Sequence, residues 1–334
     1  MTDRSLHLPV AAVADGDRLV QYAMRGEDAG YEHVWLPETW GRDAITVLTR
    51  IASETESIGL GPSVLNVYSR SPALVGQTAA SLQEISEGRL RLAVGPSGPA
   101  VIEGWHGESF EKPLRRTREF VEIVERVLSG DVVTYDGDIF SLGGFRLRCD
   151  PPAVPVPIEA AGMGPKSVEL AGRFADGWHA IVLTPDGLTD RLEDFERGIE
   201  LGNRDRSDVT VTLSLPAAVS DDGELARERC RNHVGFYVGA MGTYYRDSLA
   251  RQGYEDEAMA ISEAVANREF DRLDELIDDS LLEQLAIAGT PEEVTEQLAR
   301  WDDVDGLDEL AISFPREATH EEIERTIDAL APQN

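Results

Sequence analysis

Lys166 stands in a glycine-flanked loop, Gly162-Met163-Gly164-Pro165-Lys166, of a chain in which only two of the 31 basic residues are lysines and the net charge is -31. The loop follows an apolar run, Val156-Pro157-Ile158-Glu159-Ala160, and opens a helix-like run over 166–174. A junction of this kind presents unpaired backbone N–H groups where the helix dipole favours negative charge. Glycine lets an anion approach the backbone closely. A phosphate contact is one reading of the loop, and an ordinary strand-to-helix turn is the other. Glu38, in Pro37-Glu38-Thr39-Trp40, is the best-placed ionisable group for acid–base work if burial raises its pKa. Its other reading is a salt bridge, with Arg42 as the partner. Thr39 offers a hydrogen bond, and Trp40 and Trp105 offer either a cover for a ligand or packing. His106 follows Gly95-Pro96-Ser97-Gly98-Pro99 and is a further candidate for reaching a substrate, as is His7. Ser63 and Ser97 show no histidine partner, so nucleophilic hydrolysis is not expected. No His-Glu-x-x-His pattern or carboxylate cluster predicts a metal site.

The elements that must position these residues alternate. Apolar strand-like runs lie over 6–13, 33–36, 58–65, 90–94, 156–160, 177–183, 209–219 and 309–314. Helix-like runs follow each, over 17–29, 43–55, 71–86, 112–128, 166–174, 185–201, from 221, and over 319–330. Eight strands alternating with eight helices predict a single α/β domain over 1–334, a parallel (β/α)8 TIM barrel; an open doubly wound sheet is the alternative. Three insertions interrupt the alternation. Residues 95–111 form a glycine-rich loop, and 131–150 form a hairpin with Asp136-Gly137 at its turn. Residues 221–284 form a charged helical insertion, after which Thr290-Pro291-Glu292-Glu293 starts a fresh helix with Thr290 as N-cap. Barrel enzymes carry their sites at the carboxyl ends of the strands, and there the listed glycines, aromatics and polar residues converge.

Composition narrows the partners. Acidic residues number 62 against 31 basic, and the pI is about 4.4. Nucleic acid and anionic membranes require basic patches, so neither is an expected partner. Scarce lysine and abundant carboxylate suit a high-salt cytoplasm, where at ~1 M salt the Debye length is roughly 3 Å and self-repulsion is screened. Weak folding at low salt is the consequence; unchanged circular dichroism and full activity in salt-free buffer would refute it. Cys149 and Cys230 stand in no metal-like spacing and predict a reduced, intracellular protein without zinc. The sequence begins with no signal-like pattern, and no apolar stretch approaches a membrane span. A cytoplasmic location is expected.

Four stretches carry a family resemblance. They are Trp35-Leu36-Pro37-Glu38-Thr39-Trp40; the run from Leu60-Gly61-Pro62-Ser63-Val64-Leu65-Asn66 to Ser71-Pro72; Gly162 to Lys166 continuing into Leu170-Ala171-Gly172-Arg173-Phe174-Ala175-Asp176-Gly177-Trp178; and Gly289-Thr290-Pro291-Glu292-Glu293. In this order they resemble the luciferase-like superfamily of flavin and deazaflavin oxidoreductases. Within it the chain looks most like the deazaflavin-dependent branch that includes methylenetetrahydromethanopterin reductase. The likeness runs over nearly the whole chain and is weakest in 221–284.

The resemblance implies a TIM barrel with a coenzyme at its carboxyl face, coenzyme F-420 (8-hydroxy-5-deazaflavin) or, alternatively, FMN. It implies a non-prolyl cis peptide at Ser63-Val64 behind the coenzyme ring, with Asn66, Gly95, Ser97 and Gly98 beside it. It also implies a phosphate contact from Gly162, Met163, Gly164, Pro165 and Lys166, with Arg173 or Arg70 adding positive charge. Glu38 and Thr39 occupy the place where related enzymes often carry an Asp-His pair. The missing histidine argues against a sugar-phosphate dehydrogenase. Hydride transfer to a small organic acceptor, such as a one-carbon pterin or folate iminium, is the expected activity. An FMN-dependent monooxygenase and a non-catalytic flavin-binding protein are the alternatives. A homodimer is expected by the same resemblance.

Overall fold

The computed structural model describes residues 2–332. Its strands in chain order are β1 (Asp3–His7), β2 (His33–Leu36), β3 (Gly59–Pro62), β4 (Leu65–Asn66), β5 (Leu92–Gly95), β6 (Val133–Asp136), β7 (Ser141–Phe145), β8 (Ile158–Ala161), β9 (Gly177–Ile181), β10 (Thr210–Val219), β11 (Ile287–Gly289) and β12 (Glu309–Ser313). Helices fill the intervals, and local chemistry sets their starts. The Asp43 side chain accepts from Thr46 N–H at 2.8 Å and begins Ala44–Glu54. Ser71 caps Pro72–Ile85. Thr290 caps Pro291–Asp302, as the sequence predicts, and with Glu293 it closes a reciprocal capping box.

The chain forms two compact units. One takes the chain up to Val34, Ala180–Glu193 and the chain from Val211. In it β1 pairs with β12, β12 with β10, and β10 with β11, all parallel. The helices Gly223–Ala240, Thr243–Arg251, Glu255–Ala266 and Asp279–Leu285 close over an apolar centre that includes Cys230, Val234, Leu249, Ile261 and Leu282.

The other unit is Trp35–His179 with Asp194–Thr210. Here β4 pairs with β5, β5 with β8, and β8 with β9, again all parallel. The hairpin of β6 and β7 is antiparallel. Buried Glu119, on helix Pro113–Leu128, ties its turn down by accepting from the N–H groups of Asp138, Ile139 and Phe140 at 2.9–3.1 Å. A Cβ on Gly137 would lie 2.4 Å from that carboxylate, so the turn requires glycine.

Four expectations are corrected. The first strand ends at His7 rather than running to residue 13, because Pro9 has no N–H to donate and the chain turns at once, Ala12 N–H reaching Pro9 O at 3.1 Å. The third strand is split into β3 and β4 at Ser63-Val64, whose peptide is cis, as the resemblance implies. Residues 95–111 are not all loop: Pro99–Gly104 is a short helix, started by a proline in its first turn. The three-residue β11 was missed because so short an apolar run carries no periodicity of its own.

Candidate active site

The carboxyl ends of β2, β4, β5 and β8 bring most of the candidate residues together within one unit. Glu38, just past β2, is held on both oxygens: Arg70 Nη1 donates to Oε2 at 2.6 Å and Arg70 Nη2 to Oε1 at 2.7 Å. The N–H of Ala44, in the first turn of the following helix, adds a contact of 3.2 Å. Arg70 is therefore a salt-bridge partner of Glu38. Its Nη2 also reaches Asp43 Oδ2 at 2.6 Å. The Glu38 hydrogen bond is the main cause that raises the Arg70 pKa, against a smaller opposing effect of burial. Arg70 is thus a neutralised cation rather than a free one. Thr39 lies in the left-handed region at φ 41°, uncommon for a β-branched residue and a mark of sites where the backbone is over-determined.

A cavity of about 300 Å³ opens here, lined by Glu38, Thr39, Trp40, Ser69, Arg70, Trp105 and His106 among others. Trp40 and Trp105, both lining it, are 49% and 66% exposed to solvent. Asn66, at the end of β4, organises one wall. Its Oδ1 accepts from the N–H groups of Tyr68 at 3.0 Å and Ser69 at 2.7 Å, and its Nδ2 lies 3.3 Å from His106 Nε2. Gly95 ends β5, where a Cβ would meet Ala161 Cβ at 3.0 Å and Val64 Cγ2 at 3.4 Å. Val64 therefore lies beside the end of β5, as does Ala161 at the end of β8. Ser97 follows at φ 59°, and Gly98 starts the helix Pro99–Gly104.

Beneath these ends lies a buried polar chain that overturns one expectation. Ser63 does have a histidine partner: its Oγ is 2.8 Å from His179 Nε2. His179 Nδ1 is 3.1 Å from Glu159 Oε2, and Glu159 also pairs with Arg91. A carboxylate only accepts, so the imidazole proton on that side sits on Nδ1, and in the neutral ring Nε2 takes the Ser63 hydroxyl hydrogen. Burial pushes the Glu159 carboxyl up, but the charge of Arg91 and the contact with His179 outweigh it and hold it below its ordinary value. Arg91 and His179 also meet the Trp35 ring, at 4.9 Å each. The Ser–His–Glu order is that of a hydrolytic triad, but here the carboxylate's charge is already balanced by Arg91.

The Gly162 to Lys166 segment links β8 to helix Pro165–Phe174 as expected. Trp178 Nε1 donates to Gly162 O at 2.8 Å, and Ser167 Oγ accepts from Gly164 N–H at 3.1 Å. A Cβ on Gly162 would strike Ser167 at 2.5 Å, whereas one on Gly164 would find only Ser167 Oγ at 3.8 Å, so the space over Gly164 is open. Met163 and Pro165 are half-buried beside it. The Lys166 side chain is 72% exposed and bonded to Glu169 at 3.0 and 3.2 Å. Arg173 lies over Phe174. The open helix start fits an anionic group approaching the backbone, with Lys166 sharing its charge with Glu169.

A larger cavity, about 690 Å³, belongs to the other unit. It carries none of the strand-end residues, and its Arg227 and Arg300 are paired with Glu293 and Glu283. Among the described residues no group of three or more His, Cys, Asp or Glu is placed to hold a metal, and no helix is long and apolar enough to cross a membrane.

Residues 3–305 match the family described as luciferase-like monooxygenase. The chain belongs to this family of enzymes. It is 31% identical over 287 residues to the 5,10-methylenetetrahydromethanopterin reductase of Archaeoglobus fulgidus, covering 84% of each chain. It is 28% identical over 316 residues to the F-420-dependent glucose-6-phosphate dehydrogenase of Amycolatopsis mediterranei, covering 89% of this chain and 88% of the other. The solved coenzyme F-420-dependent tetrahydromethanopterin reductase of Methanopyrus kandleri superposes with a TM-score of 0.81 at 22% identity, over 99% of this chain and 97% of the other. The fold is therefore the TIM barrel of luciferase-like enzymes, as the alternation of elements predicts.

For a luciferase-like chain, the site residues that sequence reasoning missed are His179, Glu159, Arg91 and Ser69. The available signal was a charged or polar residue inside an otherwise apolar strand, Glu159 in β8 and His179 in β9.

Proposed function

We propose that this chain transfers a hydride between reduced coenzyme F-420 and a small organic acceptor, with a one-carbon pterin or folate iminium as the acceptor class. The observation that carries the reading is the likeness to F-420-dependent reductases and dehydrogenases over more than four-fifths of the chain, joined to strand ends that fit such a group. The floor is Val64 beside Gly95, and the open helix start at Gly164 suits an anionic tail. When bound, the coenzyme supplies the hydride; the protein supplies orientation and exclusion of water.

The chain's own residues then divide the work. Ser63, held by His179, fixes the floor. Glu38 and Arg70 form a rigid, charge-balanced rim. Trp40 and Trp105 line the cavity and would cover a bound ligand. A carboxylate held on both oxygens by a guanidinium is not free to donate a proton, which favours an acceptor whose heteroatom needs none when its carbon takes the hydride. An iminium is such an acceptor.

Parallel fluorescence titrations with coenzyme F-420 and with FMN, in molar KCl, test the reading. Tight binding of F-420 alone is expected. Binding of FMN alone would move the chain to flavin-dependent oxygen chemistry, and binding of neither would remove the coenzyme assignment.

A further inference from the structure

The cavity beside Glu38 has one wall that the proposed hydride transfer leaves without a task. Asn66 Oδ1 takes the backbone N–H groups of Tyr68 and Ser69, which fixes the orientation of its amide. Nδ2 must then be the atom that faces His106 Nε2 at 3.3 Å. An amide nitrogen only donates. His106 Nε2 is therefore the bare, accepting nitrogen, and the ring proton sits on Nδ1. Next along the chain from the Asn66 clamp, Ser69 places its Oγ in buried space with no hydrogen-bond partner among the described residues. Ser69 and His106 line the same cavity.

The charges around them decide what they can hold. Arg70 is saturated by Glu38 and Asp43. Arg42 is also engaged in an interaction. Two guanidinium groups and two carboxylates line this cavity, so its formal charges balance, which favours neither a phosphate nor an ammonium group. The group held by His106 and Ser69 is therefore an uncharged hydrogen-bond acceptor. The exposed indoles of Trp40 and Trp105 on the same cavity suit a flat one.

We propose that the Nδ1–H of His106, its tautomer set by Asn66, and the hydroxyl of Ser69 form the polar wall of a subsite for the uncharged carbonyl or lactam edge of a flat compound, whose reacting end lies away from that wall. The assignment of this compound as the hydride acceptor rests on the function proposed above; the tautomer and the binding do not.

Nitrogen NMR of histidine-labelled protein reads the tautomer directly. His106 is expected with its proton on Nδ1, and a proton on Nε2 or on both nitrogens overturns the proposal. Asn66→Asp keeps the one oxygen that accepts from both the Tyr68 and Ser69 N–H groups while replacing the donor by an acceptor, and is expected to draw the proton to Nε2. Lumazine, a flat uncharged lactam, is the binding probe, followed by tryptophan quenching, with glucose 6-phosphate as the charged control. Lumazine is expected to bind, His106→Phe and Asn66→Asp to weaken it roughly tenfold, and Ser69→Ala to weaken it by several-fold. His106→Asn, which keeps a donor, is expected to recover part of the loss and guards against a folding defect. Unchanged lumazine affinity in the variants, or tighter binding of glucose 6-phosphate than of lumazine, overturns the proposal. Titration of the same preparation with F-420 and FMN separates the two readings: if neither coenzyme binds, the hydride-transfer function falls while the tautomer and lumazine results still decide the subsite.

Discussion

His179 and His233 are both withdrawn from water, at 5% and 9% exposure, in opposite surroundings. His179 has a carboxylate on one ring nitrogen and a serine hydroxyl on the other. His233, on the insertion helix Gly223–Ala240, lies 5.0 Å from the Tyr237 ring, and its Nδ1 has no hydrogen-bond partner among the described residues. Burial pushes its pKa down to about 4, with the charge of Arg316 adding to the effect. The contrast separates two uses of a buried histidine. In the strand-end region a histidine transmits the position of a fixed carboxylate to Ser63. In the insertion a neutral histidine is packing, tolerated only while it stays uncharged.

The sharpest way to break the contrast is at Glu159. Glu159→Ala leaves Arg91 without its carboxylate and His179 without its anchor. Removing one partner of a buried pair costs about 3–5 kcal/mol. Urea unfolding in molar KCl should show a loss of that size, and a loss below about 1 kcal/mol would mean that the network is no frame for the site.

The His233 side gives a pH signature. Its folded pKa of about 4 lies below the ordinary 6.5. Above the ordinary value both states are neutral and the residue costs nothing further. As pH falls from there toward the folded value, the unfolded chain takes up a proton that the folded chain refuses, so stability drops. The full window is worth about 3 kcal/mol. His233→Leu should lose less stability than the parent between pH 7 and pH 5; parallel curves would show that His233 is not held neutral.

Ser63→Ala is smaller. It removes one hydrogen bond and leaves His179 Nε2 without its donor, a cost of about 1–3 kcal/mol. If the Ser63–His179 contact also positions the floor of the site, this variant combined with His179→Phe should be no worse than the single changes added together, and clearly better than that sum if the two act as one unit.

These particular residues also show what the chain makes legible. Asp43, Ser71 and Thr290 announce their helices because capping is settled within three residues. The Asp136-Gly137 turn is equally local. Glu159, His179 and Ser63 are spread over 116 residues of sequence, and what they do depends on which strand ends meet. A polar residue in an apolar strand signals that a partner exists without saying which. The resemblance offers Arg70 as a cation for the coenzyme, but its neutralisation by Glu38 and Asp43 is a tertiary fact. The helix Pro99–Gly104 was hidden in a segment rich in glycine and proline, where a proline in the first turn and a loop proline look alike.

The smallest expected effect on stability bears on the other end of the site. Lys166 is exposed and paired with Glu169, which also holds Arg197 at 3.0 Å. Exposed pairs of this kind contribute little, so Lys166→Ala should change unfolding free energy by less than about 0.5 kcal/mol. Its effect belongs in binding. If an anionic coenzyme tail lies on the open helix start at Gly164, Lys166→Ala weakens F-420 affinity by several-fold while turnover at saturation changes less. Glu169→Gln should do the opposite, because it releases Lys166 and Arg197 from their shared carboxylate toward an incoming anion. In ~1 M salt the Debye length is roughly 3 Å, so only a direct contact survives there. A difference between the variants that persists in molar KCl therefore places Lys166 on the anion itself, and identical F-420 affinity in all three proteins would return the loop to an ordinary strand-to-helix turn.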